Sequence, residues 1–216
     1  MNKERITQKI KVLLDRYPEL EKCQESIQDV YFLLENCFNT NHKLLVAGNG
    51  GSASDAEHII GELMKSFKMA RPLTKELQTK IQQVSCTACD TLLGNLECAL
   101  PAISLVSQTS LISAITNDIG AETIYAQQVL GYGQENDVFL GISTSGNSKN
   151  VIAAAIVAKA KGLKVIALTG ASGGVLKEYA DIIVTVPEVQ TYKIQELHLP
   201  IYHWLCATLE DNFFGK

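Results

Sequence analysis

A chain of 216 residues with 46% hydrophobic and 19% charged residues can bury a sizeable core, which excludes disorder as its main state. Its net charge of −4, from 19 Lys and Arg against 23 Asp and Glu, argues against a general nucleic-acid binder, and nucleic acid is not an expected partner. No apolar run reaches the roughly 18 residues of a membrane span, and the charged start Met1-Asn2-Lys3-Glu4-Arg5 is followed by no apolar stretch. No membrane association and no secretory leader are therefore expected. Six scattered cysteines (Cys23, Cys37, Cys86, Cys89, Cys98, Cys206) in a chain too long to need stapling read as free thiols in a reducing cytoplasm.

The first forty residues read as helix. Ile6, Ile10, Leu13 and Leu14 recur at helical spacing until Tyr17-Pro18, where the residue before proline avoids the α region. Leu20, Cys23, Ile27, Val30, Leu34 and Cys37 then form a narrow apolar stripe, as in a coiled coil or bundle. Such a stripe needs a partner surface, and a second subunit is one way to supply it.

From residue 43 the period changes. Lys43 to Ala47 is a short apolar run ended by Gly48-Asn49-Gly50-Gly51, which suits a strand buried on both faces of a parallel sheet. A helix should follow, with Ser52 as N-cap and Asp55 completing an S-x-x-D capping pattern. Ile59, Ile60, Leu63, Met64 and Phe67 make its buried side, and Arg71-Pro72 ends it. Residues 73–100 hold a polar helix-compatible stretch and a Cys/Thr/Gly-rich segment. Further strands are expected at about 102–106, 137–142, 163–168 and 181–186, with helices at about 111–115, 122–132, 151–161 (Gly162 as C-cap) and 192–209. Strands alternating with helices predict an α/β fold: one five-stranded parallel sheet with right-handed crossovers, binding ligands outside the carboxyl ends of its strands.

Three groups of residues could carry chemistry. Gly48-Asn49-Gly50-Gly51-Ser52 joins a strand end to a helix start, where unpaired N–H groups attract anions; a tight turn without ligand explains it equally well. Neither G-x-G-x-x-G nor G-x-x-x-x-G-K-[ST] is present, so no nucleotide cofactor is expected. Ser143-Thr144-Ser145-Gly146-Asn147-Ser148 puts four hydroxyls in the same strand-to-helix context. An N-cap explains one of them, and phosphate binding explains all four. His58 and Glu62 share a helix face, and Gln195, Glu196, His198 and His203 lie on the last helix. A surface or capping role accounts for His58 alone, whereas two helices each bearing such groups favour a shared site. Cys86-x-x-Cys89 with Cys98 lacks the second matched pair that structural zinc wants, and reads as incidental thiols.

The segments Val46–His58, Gly141–Ser148, Ala167–Gly170 and Ile194–His198 together resemble the SIS (sugar isomerase) domain family, in its phosphoheptose isomerase branch. The resemblance covers about 43–72 and 101–212. It implies a single SIS domain over residues 1–216, a Rossmann-like three-layer sandwich. Residues 1–40 would be N-terminal helices packing in a homotetramer, or at least a dimer, with active sites between subunits, and residues 73–100 an insertion. It implies Glu62 and His203 as the catalytic pair. Asn49, Gly50, Gly51, Ser52, Asp118 and Gln195 would contact substrate, and Ser143, Thr144, Ser145 and Ser148 the phosphate. His58, Glu62, Gln195 and His203 would be ligands of a zinc ion held by some members. The implied substrate is a phosphorylated sugar, interconverted between ketose and aldose through an enediol. A non-catalytic phosphosugar-binding relative is the alternative, and the Glu62/His203 pair favours the enzyme. Two positions depart from the branch: Ser66 stands where an arginine is usual, and Tyr192 where an acidic residue is usual. Pro200, which removes a helical donor, is expected to control where His203 points.

Overall fold

The structure, a computed structural model, describes residues 3–85 and 89–215. In chain order the elements are α1 (Lys3–Arg16), α2 (Gln24–Asn39), β1 (Leu44–Ala47), α3 (Gly51–Met64), α4 (Lys75–Val84), α5 (Cys89–Asn95) and β2 (Ala102–Ser104). There follow α6 (Thr109–Asp118), α7 (Ile124–Tyr132), β3 (Val138–Ser143), α8 (Lys149–Ala160), β4 (Lys164–Thr169), β5 (Ile182–Thr185) and α9 (Thr191–Phe214). The five strands form one all-parallel sheet in the order β2-β1-β3-β4-β5. The five expected strands are all present, and the three-layer α/β sandwich is the observed architecture.

Alternate residues of each strand feed two cores, because successive side chains point to opposite faces. Val46, Leu140, Ile142, Ile166, Leu168 and Val184 meet α1, α2, α3 and α9. Leu45, Phe139, Val165 and Ala167 meet α7 and α8 on the other face. The alanines of α8 that face the sheet, Ala154, Ala155 and Ala158, are fully buried and let this helix lie close.

The apolar stripe of the second helix is covered by the chain itself. Leu20, Cys23, Ile27, Val30, Leu34 and Cys37 are all buried in the first core, against β5 and α9. It therefore needs no second subunit. Its first turn, Pro18–Cys23, is 3-10 helix and α2 begins at Gln24, consistent with a proline that starts a helix but cannot extend one backwards. Residues 121–123 likewise form a 3-10 turn ahead of α7.

Other boundaries differ from expectation. The helix after β1 ends at Met64, not at Arg71, because residues 66–68 turn back to donate to Glu97 and Glu210. Gly50, with φ of 57°, stands at its N-cap position, and Ser52 is buried in its first turn. Lys161 is the C-cap of α8, and Gly162, with φ of 79°, follows it. Residues 73–100 contribute α4, which has no buried residue, and α5. Cys86 lies outside the described residues. No helix among them is long and apolar enough to cross a membrane.

Candidate active site

In a parallel sheet of this order the connections from β1 and β3 leave in opposite directions, and a crevice opens where the order reverses. The two loops singled out in the sequence flank that crevice, one after β1 and one after β3. A reciprocal amide pair ties them: Asn49 Nδ2 donates to Asn150 Oδ1 at 2.8 Å, and Asn150 Nδ2 donates to Asn49 Oδ1 at 2.9 Å. Buried Tyr125 donates its hydroxyl to Gly48 O at 2.6 Å beneath the first loop.

The second loop wraps the N-terminus of α8. Ser148 is the N-cap residue, yet its hydroxyl makes no capping bond and instead pairs with Ser143 Oγ at 2.9 Å. Capping therefore does not account for the hydroxyls. Ser145 Oγ is exposed and accepts from Asn147 N at 3.1 Å. The backbone is braced from β4: Gly170 N donates to Thr144 O at 3.0 Å and Leu176 N to Gly146 O at 2.9 Å. Gly146 has φ of 66°, and a Cβ there would lie 2.0 Å from Gly173 O, so only glycine suits this turn.

The candidate acid–base groups come from α3 and α9, which pack along each other. His58 Nε2 lies 3.2 Å from Glu62 Oε1 and 3.4 Å from His203 Nε2. Both contacts use the same nitrogen, so the His58 ring stands between the two proposed catalytic groups. Glu62 Oε2 is buried and makes no hydrogen bond among the described residues. Burial pushes the His203 pKa down, the neighbouring His58 adds to this, and Glu62 opposes it. Pro200 sits inside a helix that continues to Phe214, and it does not turn His203 away from α3. Gln195 reaches the first loop: a Cβ on Gly51 would lie 2.5 Å from Gln195 Nε2, so this glycine admits the amide.

The structure brings Gln195 to the loop of Asn49, Gly50 and Gly51, ties that loop through Asn150 to the segment after Ser143, Thr144, Ser145 and Ser148, and gathers His58 and Glu62 of α3 with His203 of α9. Ser52 is buried behind the first loop. Asp118, at the end of α6, is exposed, and its described contact is with Asn117 rather than with any of these groups. His198 is fully buried, and neither ring nitrogen makes a hydrogen bond among the described residues.

Zn–N bonds of about 2.0–2.1 Å in a tetrahedron put two ligand nitrogens about 3.4 Å apart. The His58–His203 and His58–Glu62 separations match this, and two imidazoles, a carboxylate and an amide oxygen are donors that zinc accepts. Among the described residues, however, no three His, Cys, Asp or Glu are arranged to hold an ion as they stand.

Two neighbours were not anticipated. Tyr202 places its hydroxyl 3.1 Å from His58 Nδ1 and donates to Asp55 Oδ1 at 3.2 Å. Asp55 thus faces α9 rather than closing a capping box. Asp55, His58 and Glu62 stand at i, i+3 and i+7, one face of one helix, and that spacing was the available clue.

Comparison with known proteins decides the family. The SIS domain matches residues 90–170. The chain is similar to the phosphoheptose isomerase of Burkholderia pseudomallei, with 41% identity over 81% of this chain and 75% of that one. The chain belongs to the phosphoheptose isomerase family. A second member, from Sulfurimonas denitrificans, is 37% identical over 91% of this chain and 88% of its own length. The solved structure of a phosphoheptose isomerase from Francisella tularensis superposes with a TM-score of 0.76 at 30% identity, covering 98% of this chain and all of that one. Membership of the phosphoheptose isomerases agrees with the resemblance read from the two loops.

Proposed function

We propose that this chain interconverts sedoheptulose 7-phosphate and D-glycero-D-manno-heptose 7-phosphate. It is a sugar-phosphate isomerase, as its family membership at about 40% identity over most of the chain supports. The observation that carries the mechanism is the convergence of Glu62 and His58, on the helix that follows the first loop, with His203 of α9.

Ketose-to-aldose conversion removes a proton from C1, passes through an enediol, and returns a proton to C2, while a second proton moves between O1 and O2. In our reading Glu62 takes and returns the carbon-bound proton. Its second oxygen is buried and makes no hydrogen bond among the described residues, so it is uncommitted and able to accept a proton. His203, whose lowered pKa keeps it neutral at pH 7, both accepts and donates the oxygen-bound proton. Ser143, Thr144, Ser145 and Ser148 hold the phosphate at the α8 N-terminus, where free N–H groups add to the hydroxyls. That anchor is remote from the reacting carbons and orients the chain between them. Asn49 and Gln195 would bind sugar hydroxyls, a role supported by their bracing against Asn150 and Gly51.

Zinc is a further part of this proposal. His58, Glu62, Gln195 and His203 would hold it, and it would supply Lewis-acid polarisation of the substrate carbonyl. Metal analysis of the purified protein and its His58→Ala variant tests this, with metal expected in the first and depleted in the second.

Self-association is also proposed. The support is a groove beside His203 lined by Val12, Arg16, Phe67, Leu199 and Trp204, in which Val12 is 73% exposed. A second copy covering it would enclose the site, and sedimentation at micromolar concentration would then give a dimer or tetramer.

The functional test is a screen of C5–C7 ketose and aldose phosphates followed by NMR. Sedoheptulose 7-phosphate should be converted fastest. Conversion of pentose or hexose phosphates alone would overturn the substrate assignment.

A further inference from the structure

Tyr202 is almost fully buried, at 2% exposure, yet its hydroxyl lies between two polar groups of α3. On one side is Asp55 Oδ1 at 3.2 Å, on the other His58 Nδ1 at 3.1 Å. Their rings meet edge to face, with centroids 5.5 Å apart, so the hydroxyl is not free to swing out. A tyrosine hydroxyl has one hydrogen and can also accept. A carboxylate only accepts, and a hydrogen bond to an ionised acceptor is roughly twice as strong as one between neutral groups. The Tyr202 hydrogen therefore goes to Asp55, and the Tyr202 oxygen must accept from His58.

We propose that Tyr202, anchored by Asp55, is a positioning residue that fixes His58 as the Nδ1–H tautomer and so presents the Nε2 lone pair to Glu62 and His203. The assignment rests on the isomerase reading for its purpose, but not for its geometry. It orders the other groups in turn. With a lone pair on His58 Nε2, the 3.4 Å contact requires His203 Nε2 to carry the hydrogen, and this is the proton needed by a group that serves substrate oxygens. The 3.2 Å approach of Glu62 Oε1 to the same lone pair becomes favourable when Glu62 holds a proton, as it does after taking one from carbon. The opposite tautomer would bond His58 permanently to the Glu62 carboxylate and occupy the base. The Nδ1–H form is also the one that leaves Nε2 able to ligate a metal, since a ligating histidine characteristically donates its other N–H to a fixed acceptor.

The test reads the tautomer directly. Two-bond ¹H–¹⁵N correlation spectra are recorded on metal-stripped, ¹⁵N-histidine-labelled full-length protein at about pH 8.5, above the titration range of histidine. Loss of the signal in a His58→Gln variant assigns it. Wild type should show His58 with hydrogen on Nδ1. Tyr202→Phe should give a mixture of tautomers. Asp55→Ala leaves the Tyr202 hydrogen with only Nδ1 to bond, and should shift the ring to the Nε2–H form. Both variants should lose about 10–100-fold in kcat, the usual effect of removing such a partner, with KM nearly unchanged. A wild-type His58 already in the Nε2–H form would overturn the proposal. So would a Tyr202→Phe protein whose spectrum or kcat matches wild type. Because the spectra need no substrate, they decide the tautomer even if the isomerase reading fails.

Discussion

Arg71 and Glu210 form an ion pair with both side chains fully buried, Arg71 Nε donating to Glu210 Oε1 at 2.8 Å. Each partner makes two further hydrogen bonds. Arg71 donates to Leu63 O at 2.7 Å and Glu62 O at 2.8 Å, two carbonyls left open where α3 ends. Glu210 accepts from Phe67 N and Lys68 N, each at 2.7 Å. Burial alone would raise the Glu210 pKa, but these two backbone donors and the guanidinium outweigh it and hold the carboxyl below its usual range. The pair joins the end of the helix that carries Glu62 to the helix that carries His203.

Breaking one side of this pair strands the other charge in the core. Arg71→Met and Glu210→Gln should each cost about 3–5 kcal/mol in urea unfolding. A loss below about 1 kcal/mol in both would show that the pair is not the clamp described here.

The proposed phosphate loop gives a different prediction, in binding rather than stability. Ser145→Ala with Ser148→Ala should raise KM for the phosphorylated sugar by about 10²-fold or more, with a smaller change in kcat, since each lost hydrogen bond to a charged group is worth about 1.5–3 kcal/mol net of exchange with water. Isothermal titration with inorganic phosphate checks it independently of turnover. Unchanged affinity in the double variant would move the anion site elsewhere.

Much of this was legible in the sequence, for stated reasons. Buried parallel strands are continuous apolar runs ended by glycine or hydroxyl residues, and Leu44–Ala47 and Val138–Ser143 fit that pattern. The two loops were visible because glycine and serine clusters have few other uses at a strand end. The apolar stripe of Leu20 to Cys37 was visible as a stripe, but what covers it was not. Periodicity gives the face and not the partner, which proved to be the chain's own β5 and α9. The Asp55–Tyr202 contact joins residues 147 apart in sequence, and no local pattern encodes it. The end of α3 was misjudged because its true cap, Arg71, acts from beyond the helix through its side chain.

His198 supplies a pH dependence. Burial pushes its pKa down to about 4, below the ordinary histidine value of about 6.5, against an opposing effect of the Thr169 backbone. The unfolded chain therefore binds a proton between those values that the folded chain refuses. Stability from this group is complete above about pH 6.5, falls as pH drops toward about 4, and changes no further below. The whole effect is about 3 kcal/mol. His198→Leu, which keeps the volume apolar, should flatten the stability curve across that window by about this amount, as read by denaturant unfolding at several pH values. A variant curve parallel to wild type would remove His198 from the account.

The proposed roles, Glu62 moving a proton between two carbons of a phosphorylated sugar and His203 serving the oxygens, predict exchange with solvent. Deuterium incorporation from D2O, followed by NMR during turnover of sedoheptulose 7-phosphate, tests it most directly. Wild type should form the aldose with solvent deuterium at C2, and exchange should also appear at C1 of the remaining ketose. Glu62→Gln should bind the substrate but lose about 10²–10⁴-fold in exchange, and His203→Asn a comparable factor in aldose formation. Exchange at the wild-type rate in Glu62→Gln, or binding by wild type with no exchange at all, would contradict the account.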